Sequence, residues 1–185
     1  NNPAISSEDS SKIALFLIEE YDLNEDTTLN AGIRWESIER DYEGTPDIDD
    51  STFSASGGVS HDLSEIWNIS GNLSYSERAP DTAELYSDGV HHATESFEIG
   101  NPNLETESAV GVEVIIRKTV GKVTGQFSAF HTKYNNYIFL EDAEQVRDGE
   151  GNLGDLVGND GQLETEDDEF SSGAEGLPVK NYEAV

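Results

Sequence analysis

Residues 73–107 read LSYSERAPDTAELYSDGVHHATESFEIGNPNLETE, and the rest of the chain is organised around them. The stretch opens as the end of a strand: Trp67, Ile69, Leu73 and Tyr75 alternate with Asn68, Ser70, Asn72, Ser74 and Ser76. It breaks at Arg78-Ala79-Pro80, where proline removes a ladder donor. A long polar loop is expected over 79–108. After the turn residues Asn101-Pro102-Asn103 the alternation returns, with Val110, Val112, Val114 and Ile116 on one face. Period-2 patterning on both sides of a polar loop predicts two antiparallel neighbours.

The same alternation extends outward in both directions. Strands are expected at 12–21, 28–39, 51–63, 67–78, 109–118, 123–140 and 178–185. The first is apolar on both faces, so a short helix is the alternative there; its β-branched content favours a strand. Connections alternate short (22–27, 62–65, 119–122) and long (41–50, 79–108, 141–176). One face of most strands is apolar, while the other carries Ser, Thr, Asn and Gly, and charge collects in the loops. A soluble sandwich puts charges on its outer face. A polar lumen, a lipid-facing band, short turns at one end and long loops at the other belong instead to a transmembrane barrel. The expected fold is therefore all-β, an antiparallel up-and-down meander forming about six or seven strands of a transmembrane β-barrel. Aromatic residues near strand ends, Tyr21, Trp35, Trp67, Tyr75, Tyr134 and Tyr137, suit an interfacial girdle.

Composition narrows the function. The 185 residues contain no cysteine, which excludes disulfides, thiolate metal sites and thiol nucleophiles. They contain no methionine either, even at position 1, so the chain is expected to be a processed product or a piece of something longer. Acids outnumber bases 39 to 10, for a net charge of −29. That balance sets nucleic acid aside as a partner, because phosphate is neutralised by Lys and Arg. It favours solubility, self-repulsion and attraction for cations. No nucleophile elbow, phosphate-binding loop or H-E-x-x-H motif is present, so no enzyme is expected.

Five blocks occur in order: Tyr75-Ser76-Glu77-Arg78-Ala79-Pro80, Glu84-Leu85-Tyr86, Gly89-Val90-His91-His92-Ala93-Thr94, Phe97-Glu98-Ile99-Gly100-Asn101-Pro102-Asn103-Leu104, and Glu107-Ser108. Together they resemble the barrel signature of TonB-dependent outer-membrane receptors. The G-x-H-x-A-T and F-E-x-G insertion is similar to the subgroup associated with zinc uptake and, more loosely, to haem receptors. The resemblance implies a barrel of about 22 strands closed by a plug. The plug binds TonB, and the address is the outer membrane of a Gram-negative bacterium. Residues 1–185 carry no plug or TonB-box pattern, so the expectation is a barrel slice with two open sheet edges, which invite pairing with a second copy. Expected partners are TonB (through a plug outside these residues), outer-membrane lipid, and a metal, metal chelate or haem ligand.

The metal-site candidates are His91, His92, Glu95 and Glu98, with Asp88 nearby. Imidazole is a preferred zinc ligand and a haem axial ligand. Neighbours on an extended chain point opposite ways, so one histidine of the pair serves a given site. The plainer reading is a solvated loop pair. His61 and His131 read as structural. Arg78 is expected to pair with Glu77 or Glu113. The acidic stretch 141–176, with Asp148-Gly149-Glu150-Gly151-Asn152, Asp155 and Asp160, is weighed as a calcium loop, but Leu153 stands where the loop glycine belongs. No cofactor is required; zinc is the expected ligand and calcium the alternative. The rival functions are a siderophore or haem receptor of the same family and a soluble calcium-dependent surface-binding β domain.

Overall fold

The computed structural model describes residues 8–42, 47–91, 96–147, 153–154 and 177–185. Six strands form the main sheet: β1 (Glu8–Asn24), β2 (Thr27–Tyr42), β3 (Ile48–Ser64), β4 (Trp67–Arg78), β7 (Glu107–Lys118) and β8 (Gly125–Asn135). Their order is β1-β2-β3-β4-β7-β8, and every neighbouring pair is antiparallel. This is the expected meander. The strands run longer than the alternation alone marks, so β1 and β3 each reach 17 residues. The ladder carries them past the apolar band into the charged ends.

Register fixes the two faces. Leu15 lies opposite Trp35, which lies opposite Phe53. Gly57 lies opposite Leu73, which lies opposite Val112. Leu17, Ile33 and Val110 complete this apolar face. Ser54, Ser56, Ser74, Ser76 and Thr132 lie on the other. Large apolar side chains stand open on the wall: Leu15 is 67% exposed, Leu17 60% and Leu73 60%. A sandwich would bury them, so the soluble-domain reading fails here; a surface this apolar requires an apolar solvent. The first strand is a strand throughout. Its second apolar set, Phe16 and Ile18, shares the polar face with Arg34, Ser54 and Ser56 around a hollow of about 360 Å³.

A second sheet sits at the long-loop end, with the order β10-β9-β11-β6-β5. It comprises β5 (Asp88–His91), β6 (Ser96–Ile99), β9 (Ile138–Arg147), β10 (Leu153–Gly154) and β11 (Leu177–Ala184). The expected loop over 79–108 is thus largely ordered: one helical turn, α1 (Thr82–Tyr86), precedes β5 and β6. The turn forms because the Glu84 carboxylate accepts the Asp81 backbone N–H at 2.7 Å, the reaching-back half of a capping box. The expected strand 123–140 is also divided. Asn136 takes a left-handed φ of 52°, which asparagine tolerates, and the chain passes from β8 into β9 of the second sheet. The turn expected at 119–122 is wider, spanning 119–124. Of the acidic stretch 141–176, residues 141–147 and 153–154 are strand; the calcium reading on Asp148, Asp155 and Asp160 lies outside the described residues.

Among the described residues the buried apolar side chains are Ile38, Ala79, Leu85, Phe97, Ile138 and Val179. All six lie at the long-loop end. The molecule has a packed core there and an unpacked wall elsewhere.

Candidate functional site

The signature residues build a knot that fastens the loop end to the wall. Arg78, last in β4, faces Glu107, first in β7. Its guanidinium reaches Glu84 at 2.8 Å and Glu107 at 3.3 Å. This corrects the expected partners. Glu113 lies far down the ladder, opposite Asn72. Glu77 points the other way and accepts the Phe53 N–H and the Tyr75 hydroxyl. Glu107 also accepts the Ile138 N–H at 3.0 Å, tying β9 to the same point. Buried Arg40 donates to the Pro80 carbonyl at 2.6 Å and faces Asp50 at 3.7 Å. The Gly100 N–H donates to Ser87 O, and the Asn101 N–H to Glu84 O. The Arg78–Glu84–Glu107 part of the motif is therefore structural: its charges are paired and hydrogen-bonded, whereas Asp50 Oδ2, Thr82 Oγ1 and Ser87 Oγ are buried beside it without a hydrogen-bond partner among the described residues.

Hung on this knot is the β5–β6 hairpin that carries the histidine. His91 pairs with Ser96 and Gly89 with Glu98. Glu98 is thus two residues along from Ser96 on the same face, the diagonal neighbour of His91. The contact follows: His91 Nδ1 lies 3.2 Å from Glu98 Oε1. Strand β11 runs parallel to β6 and sets Lys180 opposite Glu98. Two residues further along that face is Tyr182, whose hydroxyl donates to Glu98 Oε2 at 3.2 Å. Burial, followed by the charge and hydrogen bond of Glu98, pushes the Tyr182 phenol up to about 12. Lys180 faces Asp142 across the β9–β11 ladder at 3.5 Å. Glu98 is almost fully buried, whereas the His91 side chain is 47% exposed.

Of the four metal-site candidates, the structure brings His91 and Glu98 together. His92 and Glu95 lie outside the described residues. Among the described residues no group of three or more His, Asp or Glu side chains is arranged to hold a metal ion. Sequence reading missed Tyr182; its signal was position in a strand, and only a parallel pairing across 84 residues gives it a partner. His61 accepts or donates to Thr27 Oγ1 at 2.9 Å near the short turns, and His131 stands on β8 opposite Val112. Asp9, Glu39, Asp41, Asp47 and Asp49 ring a hollow of about 370 Å³ at the rim of β1, β2 and β3. Their negative field adds to that of the chain.

Comparison with known proteins places this architecture. Residues 1–177 match the family described as TonB dependent receptor-like, beta-barrel. Among solved structures the chain is similar to the copper transporter OprC, at 17% identity and a TM-score of 0.60 over 77% of this chain and 23% of that one. It is also similar to a double mutant of the Serratia marcescens hemophore receptor HasR in complex with its hemophore HasA and heme: 17% identity, TM-score 0.64, 95% of this chain and 29% of that one. A mutant of the ferric enterobactin receptor PfeA from Pseudomonas aeruginosa aligns at 19% identity and a TM-score of 0.54, over 95% and 22%. The chain therefore spans between 22% and 29% of the length of these three proteins. The family match over nearly the whole chain and the six-stranded meander agree: this chain belongs to the TonB-dependent receptor β-barrel family, whose members are outer-membrane barrels of Gram-negative bacteria.

Proposed function

We propose that the chain belongs to a receptor that captures a scarce metal-bearing nutrient outside the cell, with zinc as the first candidate. TonB, acting through a plug outside these residues, would drive the ligand inward. Such receptors are transporters rather than enzymes. The observation that carries the reading is the His91–Glu98 pair at 3.2 Å on the loop-end sheet, with the imidazole half open to solvent and the carboxylate buried. Imidazole suits zinc, and the acidic rim raises the local concentration of cations. The same imidazole supports a second reading, haem, through iron ligation. A siderophore is less well served: Arg40 and Arg78, the cations nearest the knot, are engaged in its ion pairs. The names of the similar structures, copper transporter, hemophore receptor and ferric enterobactin receptor, span this ligand class.

The test is isothermal titration of Zn²⁺ into the intact receptor in detergent, with excess Ca²⁺ present to occupy nonspecific carboxylates. Saturable binding that His91→Ala abolishes is expected. Binding that Ca²⁺ erases and His91→Ala leaves intact would show a carboxylate sink and end the zinc reading.

A further inference from the structure

We infer that the turn between β7 and β8, with the end of the wall beside it, is a headgroup site for an anionic phospholipid in the leaflet at the short-turn end, held by Trp67, Lys118 and Lys122. The inference rests on the apolar face of the wall being turned to lipid. It is independent of which nutrient the receptor captures.

The first observation is electrostatic. In a chain with 39 acids and 10 bases, a cation readily finds a carboxylate. Lys12, Arg34, Arg40, Arg78 and Lys180 each do. Lys118 and Lys122 form no ion pair among the described residues. Arg117 beside them is engaged on the polar face, donating to Gln126 Oε1 at 3.1 and 3.3 Å. The other short turns are acidic, with Asp22, Glu25 and Asp26 in one and Asp62 and Glu65 in the next. An anionic headgroup is repelled by those carboxylates and drawn to the two lysines.

The second observation is placement. Lys118 lies opposite Trp67 and shares its face with Val110, Val112, Val114 and Ile116. Its ammonium is 6.0 Å from the Trp67 ring centroid. The apolar band therefore ends in an indole and a lysine side by side. Indoles sit at headgroup level, and a lysine stem lies along apolar surface while its ammonium reaches the polar layer. On the other side of Lys118 stands Gly125, where a Cβ would meet nothing within 4 Å, so that flank is open.

The third observation is the shape of the turn. Gly121 takes a φ of 117°, which glycine adopts at little cost. The chain comes back beside Lys118: a Cβ on Gly121 would stand 3.7 Å from its Nζ. The Thr119 N–H donates to Ile66 O at 3.0 Å and fixes the turn to β4. Val120 and Val123 flank Lys122 and are exposed, so the turn offers apolar contact and positive charge together. A phosphodiester at this boundary meets two ammonium groups, each with three donors, in charge-assisted hydrogen bonds. Phosphatidylglycerol brings one uncompensated negative charge. Phosphatidylcholine carries the same phosphate with its own cation, so the site favours the former.

The experiment uses the intact receptor in phosphatidylcholine vesicles. Phosphatidylglycerol or phosphatidylcholine, brominated near the ester end of its acyl chains, is added to quench neighbouring indoles. The Trp67 signal is the difference between wild type and Trp67→Phe. Phosphatidylglycerol is expected to quench it with about 20-fold preference. Lys118→Gln and Lys122→Gln are each expected to cut that preference about fivefold, the contribution of one basic residue near an anionic surface. Lys118→Arg keeps the charge and is expected to keep the preference. Lys133→Gln removes the same charge from the same face towards the long-loop end and is expected to leave it unchanged. Equal quenching by the two lipids overturns the inference, as does a preference that survives the double Lys118→Gln, Lys122→Gln variant. An equal loss in Lys133→Gln shows a general effect of charge and overturns the site. Inorganic phosphate that erases the preference at matched ionic strength assigns the lysines to a free anion and overturns the lipid as occupant.

Discussion

The wall and the loop end obey different solvents. On the wall both faces of a single sheet stand open, and the strands are held by backbone ladders while leucines and valines remain exposed. At the loop end the same chain buries Phe97, Val179, Leu85 and a set of charged and hydroxyl groups. The loop end is a small water-adapted core in which Arg40, Arg78, Glu84 and Glu107 are paired. The wall is complete only when lipid covers one face. A single sequence carries both regimes because β-strand periodicity is indifferent to what each face meets.

The largest expected effect tests the lipid face directly. Leu73 lies mid-strand in β4 between Gly57 and Val112. Leu73→Arg is expected to cost about 2–4 kcal/mol of stability in lipid vesicles, as a cation in the apolar band does. Asn72, its neighbour, faces the other way and lies opposite Glu113. Asn72→Arg is expected to stay within about 0.5 kcal/mol. Denaturant unfolding of both variants in vesicles measures the contrast. Equal costs would mean that the apolar face is not turned to lipid, and the comparison would break.

A smaller effect is expected where the loop end is packed most tightly. A Cβ on Gly100 would stand 2.5 Å from the Leu85 carbonyl carbon and 2.6 Å from its oxygen. Those are backbone atoms of α1, which is held by Leu85 N–H to Asp81 O, Ser87 N–H to Ala83 O and Asn101 N–H to Glu84 O, while the Gly100 N–H is tied to Ser87 O, so neither side yields cheaply. Gly100→Ala is expected to cost about 1–3 kcal/mol, the usual range for overpacking. Its damage should be local. Hydrogen exchange should quicken in α1, β5 and β6 and stay unchanged in β2 and β3. Equal quickening in the wall would show that the two regions unfold as one.

The contrast also explains what the sequence revealed. The wall was legible because alternation over ten or more residues is a strong signal and each wall strand pairs with the next wall strand along the chain, β4 with β7 across the long loop. The loop end was not. β5 and β6 are four residues each, too short for periodicity, and β6 finds its second partner in β11 through a parallel pairing no local pattern encodes. Arg78 was visible as a charge needing a partner, yet Glu84 and Glu107 become its partners only after α1 and β7 are placed. One signal went unused: Asp81 and Glu84 flank a helical start at capping-box spacing and could have marked α1. For the candidate site, His91 and Glu98 were legible as residue types, but the difference in depth between them belongs to the fold.

The smallest expected effect distinguishes the regions by pH. Burial, then the charge and hydrogen bond of Glu98, then the charges of Glu84 and Asp81, raise the Tyr182 phenol from 10.0 to about 12. Between those values the folded loop end keeps a proton that the unfolded chain releases. Folding then takes up a proton, so stability falls as pH rises. The contribution of Tyr182 is complete below pH 10 and is lost as pH climbs through about 12. Because the chain has no cysteine, Asn103→Cys offers a single labelling site on an exposed turn of the loop end. Denaturant midpoints reported by a fluorophore there should decline across that window. In a Tyr182→Phe background the decline should flatten, while the tryptophans of the wall, Trp35 and Trp67, report the same midpoint in both backgrounds. If the slope survives Tyr182→Phe, the titration belongs to another group, and the Tyr182–Glu98 contact does not hold the loop end in the way its 3.2 Å geometry implies.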